Sequence, residues 1–192
     1  MLASASPRRR ELLAQIGVDF EVMVADVEET VQPGESPEAY VRRVARDKAS
    51  AVAALAGPES WVLAADTEVV LDGQVLGKPR DFPHFQTMAR SLSGREHRVL
   101  SAVVLLGDGH CYDALSVSSV SFRELSERDI ADYWHTGEPW DKAGGYAVQG
   151  LGAIFVNRLC GSYSGVMGLP LYETAGLLSA AGIHLLPGER AP

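Results

Sequence analysis

Hydrophobic and polar positions along the chain alternate between two periods, and the switches between them mark the elements. Met1–Ser4 reads as a short strand running into a turn at Ser6-Pro7. Leu12, Leu13 and Ile16 then share one helical face, and Gly17 ends that helix. Phe20–Val24 reads as a second strand, followed by an acidic loop, Asp26–Thr30. Ser36 and Pro37 open a longer helix whose Tyr40, Val41, Val44 and Ala45 form one stripe, continuing past Lys48 to about Leu55. The apolar run Trp61–Ala65 predicts a buried strand ending at Asp66-Thr67. Glu68–Leu71 and Gln74–Leu76 flank Asp72-Gly73, the strongest hairpin signal in the chain.

Asp81 to Leu92 is helical and closed by Ser93-Gly94. His97–Leu106 and Tyr112–Phe122 read as long strands joined by a turn at Gly107–Gly109. Ser126 caps a further helix, with Glu127 and Asp129 in its first turn, where the helix dipole favours negative charge. Eight glycines between Gly137 and Gly168 mark tight turns and close backbone approaches. Tyr172–Ala180 is the last predicted helix, and the tail after Leu186 is expected to be loose. Strands and helices do not follow a clean βαβ alternation. The fold class expected is α/β with a mixed sheet, without a dinucleotide-binding fingerprint.

Composition narrows the function. A chain of 192 residues suits one domain, or one domain split into two lobes. No apolar run approaches the roughly 20 residues of a membrane span, and the start of the chain lacks the layout of a secretory signal. A cytoplasmic protein is expected. Cys111 and Cys160 lie far apart, outside any CxxC pattern, which argues against a disulfide framework or a thiolate zinc site; they are expected to be small buried or half-buried hydrophobes. A net charge of −8 argues against a nucleic-acid polymer as partner but permits a small phosphorylated ligand, held by local basic residues.

Four groups of residues carry candidate chemistry. Ser4, Ser6, Arg8, Arg9 and Arg10 lie between a strand and a helix start, where free backbone N–H groups and the dipole favour an anion; a solvated basic helix end is the alternative. Glu28, Glu29 and Asp66 offer oxygens to a hard cation, and an Asp beside such a cation can orient or deprotonate water. Asp66-Thr67 reads equally well as a turn at a strand end, the position where α/β sheets place ligands, and Glu28-Glu29 alone read as surface charge. Lys48 and Lys78 can offset charge on a transferred phosphoryl group, although a single lysine is usually just solvated. Gln149, between glycines, offers both donor and acceptor to a base edge. The histidines show no metal-ligand spacing, and no serine sits in a GxSxG elbow.

Taken in register, these segments resemble the Maf family of nucleotide pyrophosphatases. The matching pieces are LASASPRRRELL, ARDKA, ADTEVVLDGQVLGKP, SGREHRVLSAVVL and DKAGGYAVQGLGAIFVNRLCGSYSGVMGLPLYET, which together span nearly the whole chain. The resemblance implies a fold similar to the inosine-triphosphate pyrophosphatase type, with two lobes around a central cleft, often as a homodimer. It implies cleavage of a nucleoside triphosphate to monophosphate and pyrophosphate, with a divalent cation (Mg²⁺, Mn²⁺ or Co²⁺) and a house-cleaning role. Carried over by motif, Asp66 matches the proton acceptor, Glu29 the acidic partner near the metal, and Lys48 and Lys78 the catalytic lysines. Ser6, Arg8 and Arg9 match the phosphate-side motif. Arg9, Thr67 and Gln149 fall where the branch acting on dTTP and UTP makes its choice of substrate. Other readings are a pyrophosphatase of 7-methyl-GTP or another modified nucleotide, and a nucleotide-sensing regulator of septum formation. Glu68 stands where the family commonly has an apolar residue. Because neighbouring side chains on a strand face opposite ways, it is expected to point outward.

Overall fold

The structure is a computed structural model that describes residues 1–57 and 59–186; the tail beyond Leu186, expected to be loose, lies outside the described residues. Its centre is a five-stranded sheet in the order β2-β1-β3-β4-β5, with every neighbouring pair antiparallel. The strands are β1 (Val62–Leu71), β2 (Gln74–Val75), β3 (Glu96–Gly107), β4 (His110–Phe122) and β5 (Val156–Cys160). The helices are α1 (Pro7–Gln15), α2 (Pro37–Ala56), α3 (Phe82–Leu92), α4 (Glu127–His135), the short α5 (Tyr163–Met167) and α6 (Leu171–Ala180). Two parallel bridges, from Leu2 to Leu63 and to Val22, give the α/β fold its mixed pairing. The two N-terminal segments predicted as strands contribute no more than these bridges.

Local signals account for most boundaries. Ser36, Asp81 and Ser126 each cap a helix through a side-chain oxygen, and Ser126 with Asp129 closes a capping box. Asp72 and Gly73 both take positive φ, 51° and 78°, as the two-residue hairpin between β1 and β2 requires. The segments on either side of Asp66 form one ten-residue strand, where the sequence pattern predicts a break. Asp66 therefore sits in mid-strand, paired with Ala102 of β3. The rule that places ligands at strand ends belongs to parallel sheets, and β1 has only antiparallel neighbours within the sheet.

The period of two sorts β1 between two environments. Val62, Ala64 and Val70 meet the apolar stripe of α2, together with Leu100, Ala102 and Val104 of β3. On the other face, Leu63 and Ala65 pack with Leu12, Leu13, Leu169 and Leu178, whereas Val69 and Leu71 pack with Phe85, Tyr133, Tyr146 and Phe155. Between those two apolar clusters runs a row of hydroxyls, Thr67, Ser101 and Ser116, paired across three strands. In the Val166–Leu171 stretch Leu169 is fully buried, whereas Val166, Met167 and Leu171 are half-buried. Cys111 and Cys160 are both exposed, against expectation. They lie toward the ends of β4 and on the edge strand β5, where side chains find little to cover them.

Candidate active site

Strand β1 is left unpaired along part of one edge. Beyond the Leu2 bridge at Leu63 and before β2 at Val70, no strand among the described residues covers it. A cavity of about 420 Å³ opens along this gap. Its lining brings together Ser4, Ser6, Arg8, Arg9, Glu29, Lys48, Asp66, Thr67, Lys78 and Gln149. Glu28 and Arg10, from the same motifs, are not part of the lining.

Lys48 lies in the apolar stripe of α2, three residues after Ala45 and four after Val44, so its stem must run under the helix toward the sheet. Its ammonium is 2.7 Å from Asp66 Oδ1 and 2.7 Å from Glu29 Oε1. Glu29 reaches it from the loop before α2, where its carbonyl accepts a hydrogen bond of 3.0 Å from the Tyr40 hydroxyl. Burial raises the Glu29 carboxyl, but the Lys48 hydrogen bond and the positive charges of Lys48, Lys78 and Arg9 outweigh it and hold it below the usual range.

Glu68 corrects an expectation. It is two residues from Asp66, so the pleat places both on the α2 face; Thr67, between them, is the residue that faces the other way. Both are covered, Asp66 at 5% and Glu68 at 8% exposure. Burial first, then the charges of Asp66 and Glu29, push the Glu68 carboxyl up to about 8, with Lys48 and Lys78 opposing. Asp66 Oδ2 and Glu68 Oε2 are buried with no hydrogen-bond partner.

On the opposite face, Arg9 is fixed by three acceptors. Its Nε donates to the Gly168 carbonyl at 2.8 Å, and its terminal nitrogens reach Ser4 Oγ and Thr67 Oγ1 at 3.4 Å. The hydroxyl row sets this up: Thr67 Oγ1 lies 2.9 Å from Ser101 Oγ, which donates to the Gly165 carbonyl at 2.6 Å and so anchors α5 and Gly168. Burial pushes the Arg9 guanidinium below its usual range, against the attraction of Asp66. At the start of α1, Ser6 makes no side-chain cap and the first turn holds no acidic residue. The earliest amide bonded within the helix is that of Arg10, to the Ser6 carbonyl. The N–H groups of Arg8 and Arg9 are thus free, beside a cavity that can take an anion.

Lys78 is exposed at the rim and makes no ion pair among the described residues. Arg8 approaches Asp141 at 3.8 Å, and Lys142 pairs with that same Asp141 at 2.6 Å. Gln149 sits exposed in a turn. Tyr146 borders the cavity with its hydroxyl 2.8 Å from His97 Nε2, inside the core. Sequence reasoning missed Tyr146, Asp141, Lys142 and Gly168 as site residues. All four lie within the segment DKAGGYAVQGLGAIFVNRLCGSYSGVMGLPLYET that carries the family resemblance, and the glycine density there marks close backbone approaches. Among the described residues no three acidic, His or Cys side chains are gathered as a metal-ligand set.

Known proteins resemble this chain over most of its length. Residues 1–181 match the family described as Maf-like protein. A dTTP/UTP pyrophosphatase of Methylococcus capsulatus is 57% identical over 184 residues, covering 95% of this chain and 91% of the relative. The dTTP/UTP pyrophosphatase of Escherichia coli O157:H7 is 54% identical over 178 residues, covering 93% and 90%. Among solved structures, the Staphylococcus aureus Ham1 protein aligns with a TM-score of 0.46 at 20% identity, covering 63% of this chain and 70% of that one.

Proposed function

The chain belongs to the Maf family, and from that membership together with the cleft we infer that it is a nucleoside triphosphate pyrophosphatase that hydrolyses dTTP and UTP to the monophosphate and pyrophosphate. The observation that carries the reading is the Glu29–Lys48–Asp66 bridge, set in a cavity whose other wall is Arg8, Arg9 and the free start of α1. One wall can handle water and a proton, and the other can hold a polyphosphate.

In this reading Asp66 is the proton acceptor that orients water toward the α-phosphorus. Lys48 keeps Asp66 in place and, with Lys78, spreads the charge that develops as the phosphoanhydride bond breaks. The pyrophosphate leaves with added negative charge, which Ser6, Arg8, Arg9 and the α1 amides are placed to bind. Arg9 is pre-oriented by Gly168 and Thr67, which lowers the ordering cost of binding. Gln149, exposed at the cavity margin, is the proposed reader of the base, with Arg9 and Thr67 contributing to the choice of substrate.

A divalent cation (Mg²⁺, Mn²⁺ or Co²⁺) belongs to the same proposal. The unpartnered buried oxygens of Asp66 and Glu68 fit it, and Mg²⁺ typically takes one or two carboxylates and completes its shell with phosphate oxygens and water. Asp66 and Glu29 are the proposed carboxylates beside it. When bound, it supplies Lewis-acid stabilisation of the phosphate oxygens. A single domain with two lobes around the cleft, a homodimer and a cytoplasmic location complete the proposal, and light scattering on the purified chain checks the dimer. No described helix is long and apolar enough to cross a membrane.

The test is a panel of nucleoside triphosphates with product identification. dTTP and UTP should rank highest by kcat/KM and yield pyrophosphate; orthophosphate as the sole primary product refutes the reading. Asp66→Asn should lower kcat by about 100-fold or more, with the circular dichroism spectrum retained.

A further inference from the structure

The α2 face of β1 carries more carboxylate than its cations neutralise. Lys48 is committed to Glu29 Oε1 and Asp66 Oδ1. The Tyr40 hydroxyl is committed to the Glu29 carbonyl. Glu68, at 8% exposure, has neither a hydrogen bond nor an ion pair among the described residues, and it lines the cavity beside Asp66. Asp66, at 5% exposure, keeps Oδ2 equally free. Covering a carboxylate without a partner costs several kcal/mol, and a triphosphate entering the same cavity adds further negative charge. A hard divalent cation relieves both, because carboxylate and phosphate oxygens are its preferred ligands.

We propose that Glu68 is a ligand of this cation, which it shares with Asp66 through that residue's free oxygen. The proposal rests on the pyrophosphatase reading for what fills the rest of the cavity, and it adds a protein ligand that the motif-based assignment lacked. The i, i+2 spacing on one strand aims both carboxylates into the same space without help from another element. Lys48 stays where it is, holding Asp66 by the other oxygen. Asp66 and Glu68 would be the two direct carboxylate ligands, with water and phosphate completing the shell, and Glu29 would stay beside the cation while its Oε1 holds Lys48.

The experiment titrates the full chain with Mn²⁺ alone, without nucleotide, and follows free Mn²⁺ by its electron paramagnetic resonance signal. Glu68→Gln should weaken Mn²⁺ binding by about tenfold or more, whereas Glu28→Gln, outside the cavity lining, should leave it unchanged. Saturating Mn²⁺ should also raise the Tm of the native chain more than that of Glu68→Gln, because a ligand stabilises the state that binds it. Glu68→Val, a β-branched residue suited to a strand, repeats the measurement should the amide variant fold poorly. Native Mn²⁺ affinity in either folded variant overturns the proposal. The product assay stands apart: absent pyrophosphate release with intact Glu68-dependent Mn²⁺ binding refutes the activity alone, and the converse refutes the ligand alone.

Discussion

Replacing Lys48 with Met tests how the carboxylate wall is held together. Methionine keeps the unbranched stem that packs under α2 and removes only the ammonium. Two contacts of 2.7 Å disappear. Glu29, whose side chain is 42% exposed, regains water and contributes little to the loss. Asp66, at 6% side-chain exposure, regains almost none and is left without any partner. Breaking a buried pair by removing one member costs about 3–5 kcal/mol, and with one exposed arm the lower end applies, about 3 kcal/mol. For a chain of this size that is a Tm decrease of about 6–12 °C. Asp66→Asn in the Lys48→Met background removes the stranded charge, so the double variant should recover about 2 kcal/mol relative to the sum of the single changes. Urea denaturation followed by circular dichroism, in chelator-treated buffer so that no cation replaces the ammonium, measures all four corners of the cycle. Single effects that add within about 0.5 kcal/mol would refute the claim that Lys48 and Asp66 act as one unit.

Two further outcomes follow from other parts of the structure. His97 is 3% exposed and burial pushes its imidazole down to about 4, below the unfolded value. The unfolded chain therefore takes up the proton first. The stability contributed by neutral His97 is fully present above about pH 6.5 and is lost as pH falls toward 4, about 3 kcal/mol in all. His97→Gln should remove that component, so the native chain loses about 3 kcal/mol more than the variant between pH 7 and 4; a constant difference across that range would contradict it. Gly144 takes φ 68°, donates its amide to the Gly77 carbonyl at 2.7 Å, and has no room for a Cβ, which would lie 2.7 Å from Val69 Cγ2. Gly144→Ala should cost about 2–4 kcal/mol from left-handed strain and overpacking together, read as a lowered urea midpoint, and an unchanged midpoint would show that the backbone there is free to shift.

Some features of the site were legible along the chain because local chemistry specifies them. Lys48 falls within an apolar stripe, which already implies that its charge is carried toward the core. The Ser6-Pro7 helix start followed by arginines, with no acid in the first turn, already describes a site for an anion. Glu68 was not legible, because its place beside Asp66 depends on one strand running unbroken through both, where the sequence pattern predicts a break. Tyr146 and Gly168 were not legible, because neither residue type nor spacing distinguishes them from ordinary core or turn positions.

By itself the sequence determined every helix but α5, the caps at Ser36 and Ser126, the Asp72-Gly73 hairpin, and the α2 stripe that carries Lys48. Each of these depends on dihedral preferences and periodicity within a few residues. Tertiary structure decided that Asp66 lies in mid-strand, that β1 is left uncovered between Leu63 and Val70, and that a hydroxyl row separates two apolar clusters beneath Arg9. These depend on which strands pair and where pairing stops. Partners such as Thr67 and Ser101, or Arg9 and Gly168, lie 34 and 159 residues apart. No local preference encodes such contacts, because they form only when burying apolar surface on both faces of the sheet selects one arrangement of the whole chain.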